Sequence, residues 1–295
     1  ERSRGLGDVY KRQIFYAENQ AYENAATSWE RLLEIAREKH LDHWIHVAYN
    51  NLGLVYQNLK DWENAIECYQ LAYNRFEAAG VTQGMVQSLI NLAQIYQKKG
   101  DWEQSIQFFK KAIEGYDKIG DTDKAGRIHI TIAQIYKKNQ DLENAILHYQ
   151  SARTYFKKTE NIKGLIQVYG NLGIIYKRKN DPEATVEYFS KTLENAKKTN
   201  DLKTIAHTYN NLALAVQEQG KIKEAIEYYQ QSIEKLYHLK DIKGLSLALN
   251  NLALIYQSQN EWDQAFQFHQ RALAVRERLE DRTEIAETLS NLGIV

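Results

Sequence analysis

The sequence predicts an all-α solenoid, in which antiparallel helix pairs stack on one another. Three observations support this class. One block of residues recurs every forty positions, as the step from Asn51 to Asn91 shows. Within each block, apolar residues lie three and four positions apart, which is typical of one helix face. The 295 residues include only 1 proline, the residue that breaks helix interiors.

Each block has the same order of large and small residues. In the first complete block, Leu52 and Tyr56 lie four positions apart and therefore share one helix face. Ala65, Tyr69 and Ala72 have helical spacing and are predicted to share a face of a second helix. Small residues let two helix backbones approach, and the large ones fill the space around the contact. One such hairpin cannot bury its apolar face alone, so neighbouring hairpins are expected to stack.

The period divides most of the chain into repeats. Residues 14–41 form a truncated first repeat, residues 42–281 form six complete repeats, and residues 282–295 begin a further, truncated one. The predicted first helices begin near Asp42, Thr82, Thr122, Ile162, Leu202 and Ile242. The predicted second helices begin near Asp61, Asp101, Asp141, Asp181, Lys221 and Glu261. Four of these six second-helix starts are aspartates, which are good N-caps.

The two ends of the chain depart from this order. Residues 3–13 resemble a translated sequencing-library adapter, and Arg12 and Gln13 stand where the period requires leucine and glycine. We therefore expect residues 1–13 to be a non-native leader; the alternative is a genuine disordered N-terminus. The C-terminus ends on Asn-Leu-Gly-Ile-Val. Because a solenoid normally ends in a polar capping repeat, we expect the chain to be a fragment.

The recurring order of Leu, Gly or Ala, Tyr, Ala, aromatic and Ala resembles the tetratricopeptide repeat. The long period and the Asn-Asn-Leu-Ala runs at 210–213 and 250–253 resemble the subclass of kinesin light chains and Pins-type scaffolds. HEAT and armadillo repeats, of roughly 40–47 residues, lack these small columns. The resemblance implies a right-handed superhelix that acts as a protein-interaction scaffold, without enzymatic activity, and binds a peptide or helix on its concave face. The alternative is a sensor or regulatory module of a larger signalling kinase, protease or transcription regulator whose effector domain is missing.

In the family, two columns of the first helix lie in the concave groove. Counting Leu52 as column seven, column five carries amides, which both donate and accept hydrogen bonds. Column nine carries aliphatic residues, which invite an apolar contact. The alternative for column nine is coverage by the curl of the array, since scattered exposed apolar residues are normal. The candidate peptide-binding residues are Asn50, Asn210 and Asn250 in column five and Leu54, Ile174, Leu214 and Leu254 in column nine.

Columns twelve and thirteen carry positive charge in the middle of the array. These residues predict a basic stripe that selects an acidic partner. The alternative is that each cation complements the dipole at the C-terminus of its own helix. The stripe comprises Lys98, Lys137, Lys138, Lys177 and Arg178.

Composition and motifs disfavour other classes of function. The formal net charge is +0, which argues against nucleic-acid and membrane partners. The single cysteine, Cys68, cannot form an internal disulfide, which fits a reducing, cytoplasmic location. His40, His43 and His46 lie three positions apart, but no cysteine or carboxylate cluster of ligand spacing accompanies them, so no metal site is expected. Without a phosphate-binding loop or a nucleophile elbow, neither a cofactor nor an enzyme activity is predicted. The partner is therefore expected to be a protein or peptide, and the sequence does not indicate an oligomeric state.

Overall fold

The computed structural model describes residues 22–277 and 282–294. The predicted leader at 1–13 and the first residues of the truncated repeat, 14–21, lie outside this range. Within it the chain forms helices and no strands. The helices are α1 Tyr22–Glu38, α2 Asp42–Asn58, α3 Trp62–Ala78, α4 Thr82–Lys99, α5 Trp102–Ile119, α6 Thr122–Lys138, α7 Leu142–Lys158, α8 Ile162–Arg178, α9 Pro182–Lys198, α10 Leu202–Glu218, α11 Ile222–His238, α12 Ile242–Ser258, α13 Trp262–Glu277 and α14 Arg282–Ile294.

The helices begin where the period predicts, and aspartates cap the first turns of four of the second helices. The side chains of Asp61, Asp101, Asp141 and Asp181 each accept a hydrogen bond from the backbone N–H three residues later. Pro182 follows at the first helical position, where its missing N–H is harmless. The connections are equally regular. A residue with positive φ follows each of the helices from α1 to α12, as Gly100 (φ 81°) and Gly120 (φ 75°) do.

One second helix lacks this cap. Lys221 precedes α11 and makes no side-chain hydrogen bond to its first turn. We expect Lys221→Asp to raise the free energy of unfolding by about 1 kcal/mol, because aspartate satisfies a free N–H of the first turn. Urea unfolding followed by circular dichroism measures the change. Asp101→Ala is the matched control and should cost a similar amount; a Lys221→Asp variant that is no more stable would contradict the capping argument.

The chain divides into two compact units, one ending at Gln140 and the other beginning at Asp141. In the first unit, α1 to α6 pack in order, each helix against the one before it and the one after it. In the second unit, α7 to α14 pack in the same way. Within each unit this is the stacking of an all-α solenoid of helix pairs, as the sequence predicts. We call the first helix of each repeat the A helix and the second the B helix.

The small columns lie where A and B helices approach most closely. A Cβ atom added at Gly53 on α2 would lie 2.7 Å from the buried ring of Tyr69 on α3. The same contact recurs between Gly173 on α8 and Phe189 on α9, at 2.8 Å. These distances are shorter than the contacts that non-bonded carbon atoms make in proteins. The aromatic ring therefore occupies the space that a side chain at the glycine would need. The Leu, Gly or Ala, and aromatic columns are therefore occupied by packing inside the hairpin.

Candidate functional site

The predicted partner surface lies on the A helices, which are α2, α4 and α6 in the first unit and α8, α10 and α12 in the second. Its aliphatic residues, predicted in column nine, are mostly exposed. Leu54 has 44% of its surface accessible, Ile174 40% and Leu254 38%, while Leu214 is half-buried. Leu54 lies in the first unit and the other three lie in the second, so each unit has its own apolar positions.

The asparagines of column five differ in burial and in hydrogen bonding. Asn50 is half-buried and accepts a hydrogen bond from Nδ2 of Asn91 at 3.1 Å, on the next A helix. Asn250 is buried and accepts the equivalent bond from Asn291 at 3.4 Å. Asn210 is also buried, and its Oδ1 has no hydrogen-bond partner in the described part of the chain. Asn91 and Asn291 of column six therefore bond to the preceding repeat, while Asn51 and Asn171 bond to a carbonyl of their own helix. Peptide contact by column five remains a prediction.

Two lysines of the first unit each lie over a tryptophan ring. The ammonium of Lys138 lies 4.8 Å from the ring centroid of Trp102, and that of Lys98 lies 5.9 Å from the ring centroid of Trp62. Such cation–π contacts orient a lysine without neutralising its charge. An open hollow of about 690 Å³ lies between them. This lysine hollow is lined by Gln94, Gln97, Lys98, Lys99, Gly100, Trp102 and Lys138.

The lysines of the hollow differ in their pairing. Lys99 lies 3.8 Å from a carboxylate oxygen of Glu63, and Lys179 in the second unit pairs with Glu143 in the same way. Among the described residues, no carboxylate lies within ion-pair distance of Lys98 or Lys138, and both side chains are exposed. Their charges are therefore free to attract an anion.

The remaining stripe residues lie in less open places. Lys137 belongs to the first unit and is half-buried. Lys177 is half-buried and Arg178 exposed, both at the end of α8 in the second unit. Of the five predicted stripe residues, the structure thus brings Lys98 and Lys138 together around one hollow.

The second unit has a separate groove between the A helices α8 and α10. Gly170 leaves this groove open because it has no side chain. A Cβ atom added there would still lie 3.9 Å from the nearest side chain, that of Thr192. The groove encloses about 330 Å³, and the exposed Ile174 forms part of its wall. At its other wall, His207 Nε2 lies 2.9 Å from Asp241 Oδ2. This Gly170 groove is lined by Ile166, Gln167, Gly170, Asn171, Ile174, Phe189, Thr192, Lys203, Thr204, His207, Thr208 and Asn211.

Cys68 and His46, whose side chains could otherwise react or bind a metal, are buried in the core. Burial raises the pKa of the Cys68 thiol to about 12, which removes its reactivity at neutral pH. His46 is buried beside the ring of Phe76, with ring centroids 4.9 Å apart. Over the ranges that the structure describes, no three histidine, cysteine, aspartate or glutamate side chains gather closely enough to hold a metal ion. No helix there has the length and apolar character needed to cross a membrane.

The sequence interpretation missed Trp102 as a site residue. A signal was present, because tryptophan stands at the first helical position of three B helices, at Trp62, Trp102 and Trp262. For two of these rings a lysine comes from the end of the next A helix, thirty-six positions later: Lys98 for Trp62 and Lys138 for Trp102. The tryptophan and its lysine are thirty-six positions apart, so they belong to different columns of the forty-residue repeat. A comparison of residues within one column therefore does not reveal the pair.

A sequence profile described as the tetratricopeptide repeat matches residues 44–118, 84–158, 164–236 and 244–295. No curated protein sequence is significantly similar to the chain.

Several solved structures are similar to the chain in fold. The C-terminal part of a TPR repeat-containing protein from Cytophaga hutchinsonii has a TM-score of 0.69 and 18% identity, over 94% of this chain and 98% of that one. A signal transduction ATPase with numerous domains and a tetratricopeptide repeat sensor, from Pyrococcus horikoshii, has a TM-score of 0.59 and 13% identity, over 97% and 42%. Aspartyl phosphate phosphatase F from Bacillus subtilis has a TM-score of 0.53 and 18% identity, over 92% and 68%. At these identities the likeness concerns the fold alone.

Proposed function

Because the chain belongs to the tetratricopeptide repeat family, we propose that it is a scaffold that captures an acidic peptide or helix on its A-helix face. Repeat proteins of this kind typically use the surface formed by stacked units for binding rather than for catalysis. The observation that carries the proposal is the lysine hollow, where Lys98 and Lys138 hold unpaired charges beside the ring of Trp102.

The chemistry of the hollow selects the partner. Two free ammonium groups attract aspartate or glutamate side chains and raise the rate of encounter. The indole ring of Trp102 and the amides of Gln94 and Gln97 add an apolar surface and hydrogen-bonding groups for a peptide backbone. Lys99 contributes less, because Glu63 already offsets its charge. A peptide with acidic residues next to an apolar side chain fits this arrangement.

The A-helix face of the second unit is proposed as a further part of the same function. Exposed Ile174 and Leu254, with half-buried Leu214, provide apolar positions. The Gly170 groove has room for a side chain of a bound peptide, and the amide groups of Gln167 and Asn171 line it. Of the column-five asparagines, Asn50 is half-buried and has surface left for a peptide. Asn210 and Asn250 are buried, so contact with them requires a partner that reaches between the A helices.

We expect 12-residue peptides selected from a random library against the chain to be enriched in Asp and Glu. Lys98→Glu with Lys138→Glu should weaken the best peptide by about tenfold or more, since two attractive contacts become repulsive. Affinity should also fall as salt rises, because exposed charges are screened. Fluorescence polarisation measures both effects.

The matched control is Lys110→Glu with Lys111→Glu, which changes the net charge equally on α5, a B helix of the same unit. Both control lysines are exposed, and Lys111 also lies near an aromatic ring, that of Phe108, at 5.7 Å. The control should retain the affinity of the natural chain. Equal losses in both double variants, or binding insensitive to salt, would contradict selection by the hollow.

A second candidate is a sensor module within a larger protein. The similar ATPase from Pyrococcus horikoshii is described as having a tetratricopeptide repeat sensor, and this chain spans 42% of it. The complete open reading frame tests this candidate. A kinase, protease, ATPase or DNA-binding domain in the same frame would support it, and a reading frame that encodes only repeats would contradict it.

A further inference from the structure

A separate pocket lies in the second unit between the end of α11, the start of α12 and the face of α13. It encloses about 610 Å³, within the range of pockets that hold small molecules. Its floor is apolar, with Leu245 and Leu249 both buried, and Tyr237 stands at the rim with 69% of its surface accessible. The lining residues are Tyr237, His238, Lys240, Ile242, Leu245, Leu249, Arg271, Ala274 and Val275.

The residues that line the pocket differ from those of the preceding repeat. In the preceding repeat, Lys197 lies over the ring of Tyr209, 5.7 Å from its centroid. Forty residues later those two positions hold Tyr237 and Leu249. The shorter Leu249 lowers the floor, since a tyrosine stands at this position in Tyr49, Tyr169 and Tyr209.

The wall of the pocket on α13 also has smaller side chains than the preceding repeat. Ala274 and Val275 on α13 stand where the preceding repeat has Glu234 and Lys235. Two charged side chains have therefore been replaced by small apolar ones on the side that faces the pocket. Tyr237 and Ala274 depart from their columns, in which every earlier repeat carries a polar or charged residue, and both line this pocket.

Two of the rim residues, Lys240 and Arg271, are cations. His238, Lys240 and Arg271 line the pocket, and no acidic residue does. Within the described part of the chain, neither Lys240 nor Arg271 forms an ion pair. The Arg271 guanidinium instead lies over the ring of Phe268, 5.2 Å from its centroid. An apolar floor beneath unpaired cations is complementary to an organic anion with an apolar body.

We propose that this pocket binds a small amphipathic carboxylate, with its apolar chain against Leu245 and Leu249 and its carboxylate at Lys240 and Arg271. An arginine guanidinium presents paired donors that match the two oxygens of a carboxylate. The pocket shares no lining residue with the lysine hollow or the Gly170 groove. It therefore does not depend on capture of a peptide.

Titration calorimetry of the full chain with decanoate, below its micelle concentration, tests the proposal. Decanoate should bind at one site, and decanol, which has the same chain without the charge, at least tenfold more weakly. Leu249→Tyr, which restores the tyrosine of three other repeats, should weaken decanoate at least tenfold by filling the floor. Leu147→Tyr, at an exposed leucine of α7, makes the same chemical change elsewhere and should leave affinity unchanged.

A second variant, Lys240→Gln with Arg271→Gln, tests the proposal even if Leu249→Tyr disturbs folding. Both residues are exposed, so their replacement should leave the fold intact. In this double variant, decanoate and decanol should bind with equal affinity. Absence of decanoate binding to the natural chain would overturn the proposal. So would a preference for decanoate that survives the double variant.

Discussion

Replacing Tyr69 by alanine is expected to lower the free energy of unfolding by about 3–5 kcal/mol, the usual cost of removing a buried aromatic ring. The ring is fully buried and packs with Ala65, Leu92 and Ile95 in one apolar cluster. It also fills the space above Gly53, so its removal leaves a cavity between α2 and α3. Urea unfolding of the purified chain measures the loss.

Tyr69→Phe separates the ring from its hydroxyl group. The hydroxyl is buried and has no hydrogen-bond partner among the described residues, and the fold raises the pKa of Tyr69 through burial. Equivalent positions in two other repeats hold Phe109 and Phe189. The phenylalanine variant should therefore match the natural chain or exceed its stability by about 1 kcal/mol. A large loss in this variant would show that the hydroxyl, rather than the packing of the ring, holds the hairpin.

Replacing His269 by phenylalanine is expected to raise the stability of the last complete hairpin by about 1–3 kcal/mol, because a buried polar group without partners is removed. His269 stands in the aromatic column, is fully buried, and has no hydrogen-bond partner for either ring nitrogen within the described residues. The pair of Phe109 with Ala93 in another repeat shows that phenylalanine fits opposite an alanine such as Ala253. Hydrogen exchange of α13, followed by mass spectrometry, measures the local gain.

The gain from this substitution should grow as pH falls. Burial, and then the positive charge of Arg276, lower the pKa of His269 below its ordinary value of 6.5. Below pH 6.5 the unfolded chain therefore takes up a proton that the folded chain does not, and folding loses stability. His129, whose pKa burial lowers to about 4, adds a similar acid sensitivity in the first unit and is unchanged by the substitution. A gain that is constant between pH 7.5 and pH 5 would contradict the assignment to His269.

The fold was predictable to the level of single helix starts. The period places an aspartate cap before each of four B helices, and Asp61, Asp101, Asp141 and Asp181 all form the expected bond. This works because caps, small residues and aromatic residues act within one hairpin, over distances that the repeat fixes. Local rules and global stacking then favour the same structure.

The candidate sites were less predictable, because they depend on contacts between different columns. The sequence identified Lys98 and Lys138 as basic, but not that Trp102 lies under one of them or that Glu63 offsets Lys99. The burial of Asn210 depends on how closely adjacent A helices approach, which composition does not fix. The pocket beneath Tyr237 is lined by residues from three helices, so a comparison within single columns does not reveal it.

Photo-cross-linking of the selected acidic peptide to the natural chain tests the central claim most directly, because it reports where a partner lies. With a benzophenone group placed next to the acidic residues, we predict cross-links to residues that line the lysine hollow, such as Gln94 and Trp102. Lys98→Glu with Lys138→Glu should abolish these cross-links. Cross-links confined to the exposed faces of the B helices, for example near Lys110 of α5, would contradict capture on the A-helix face.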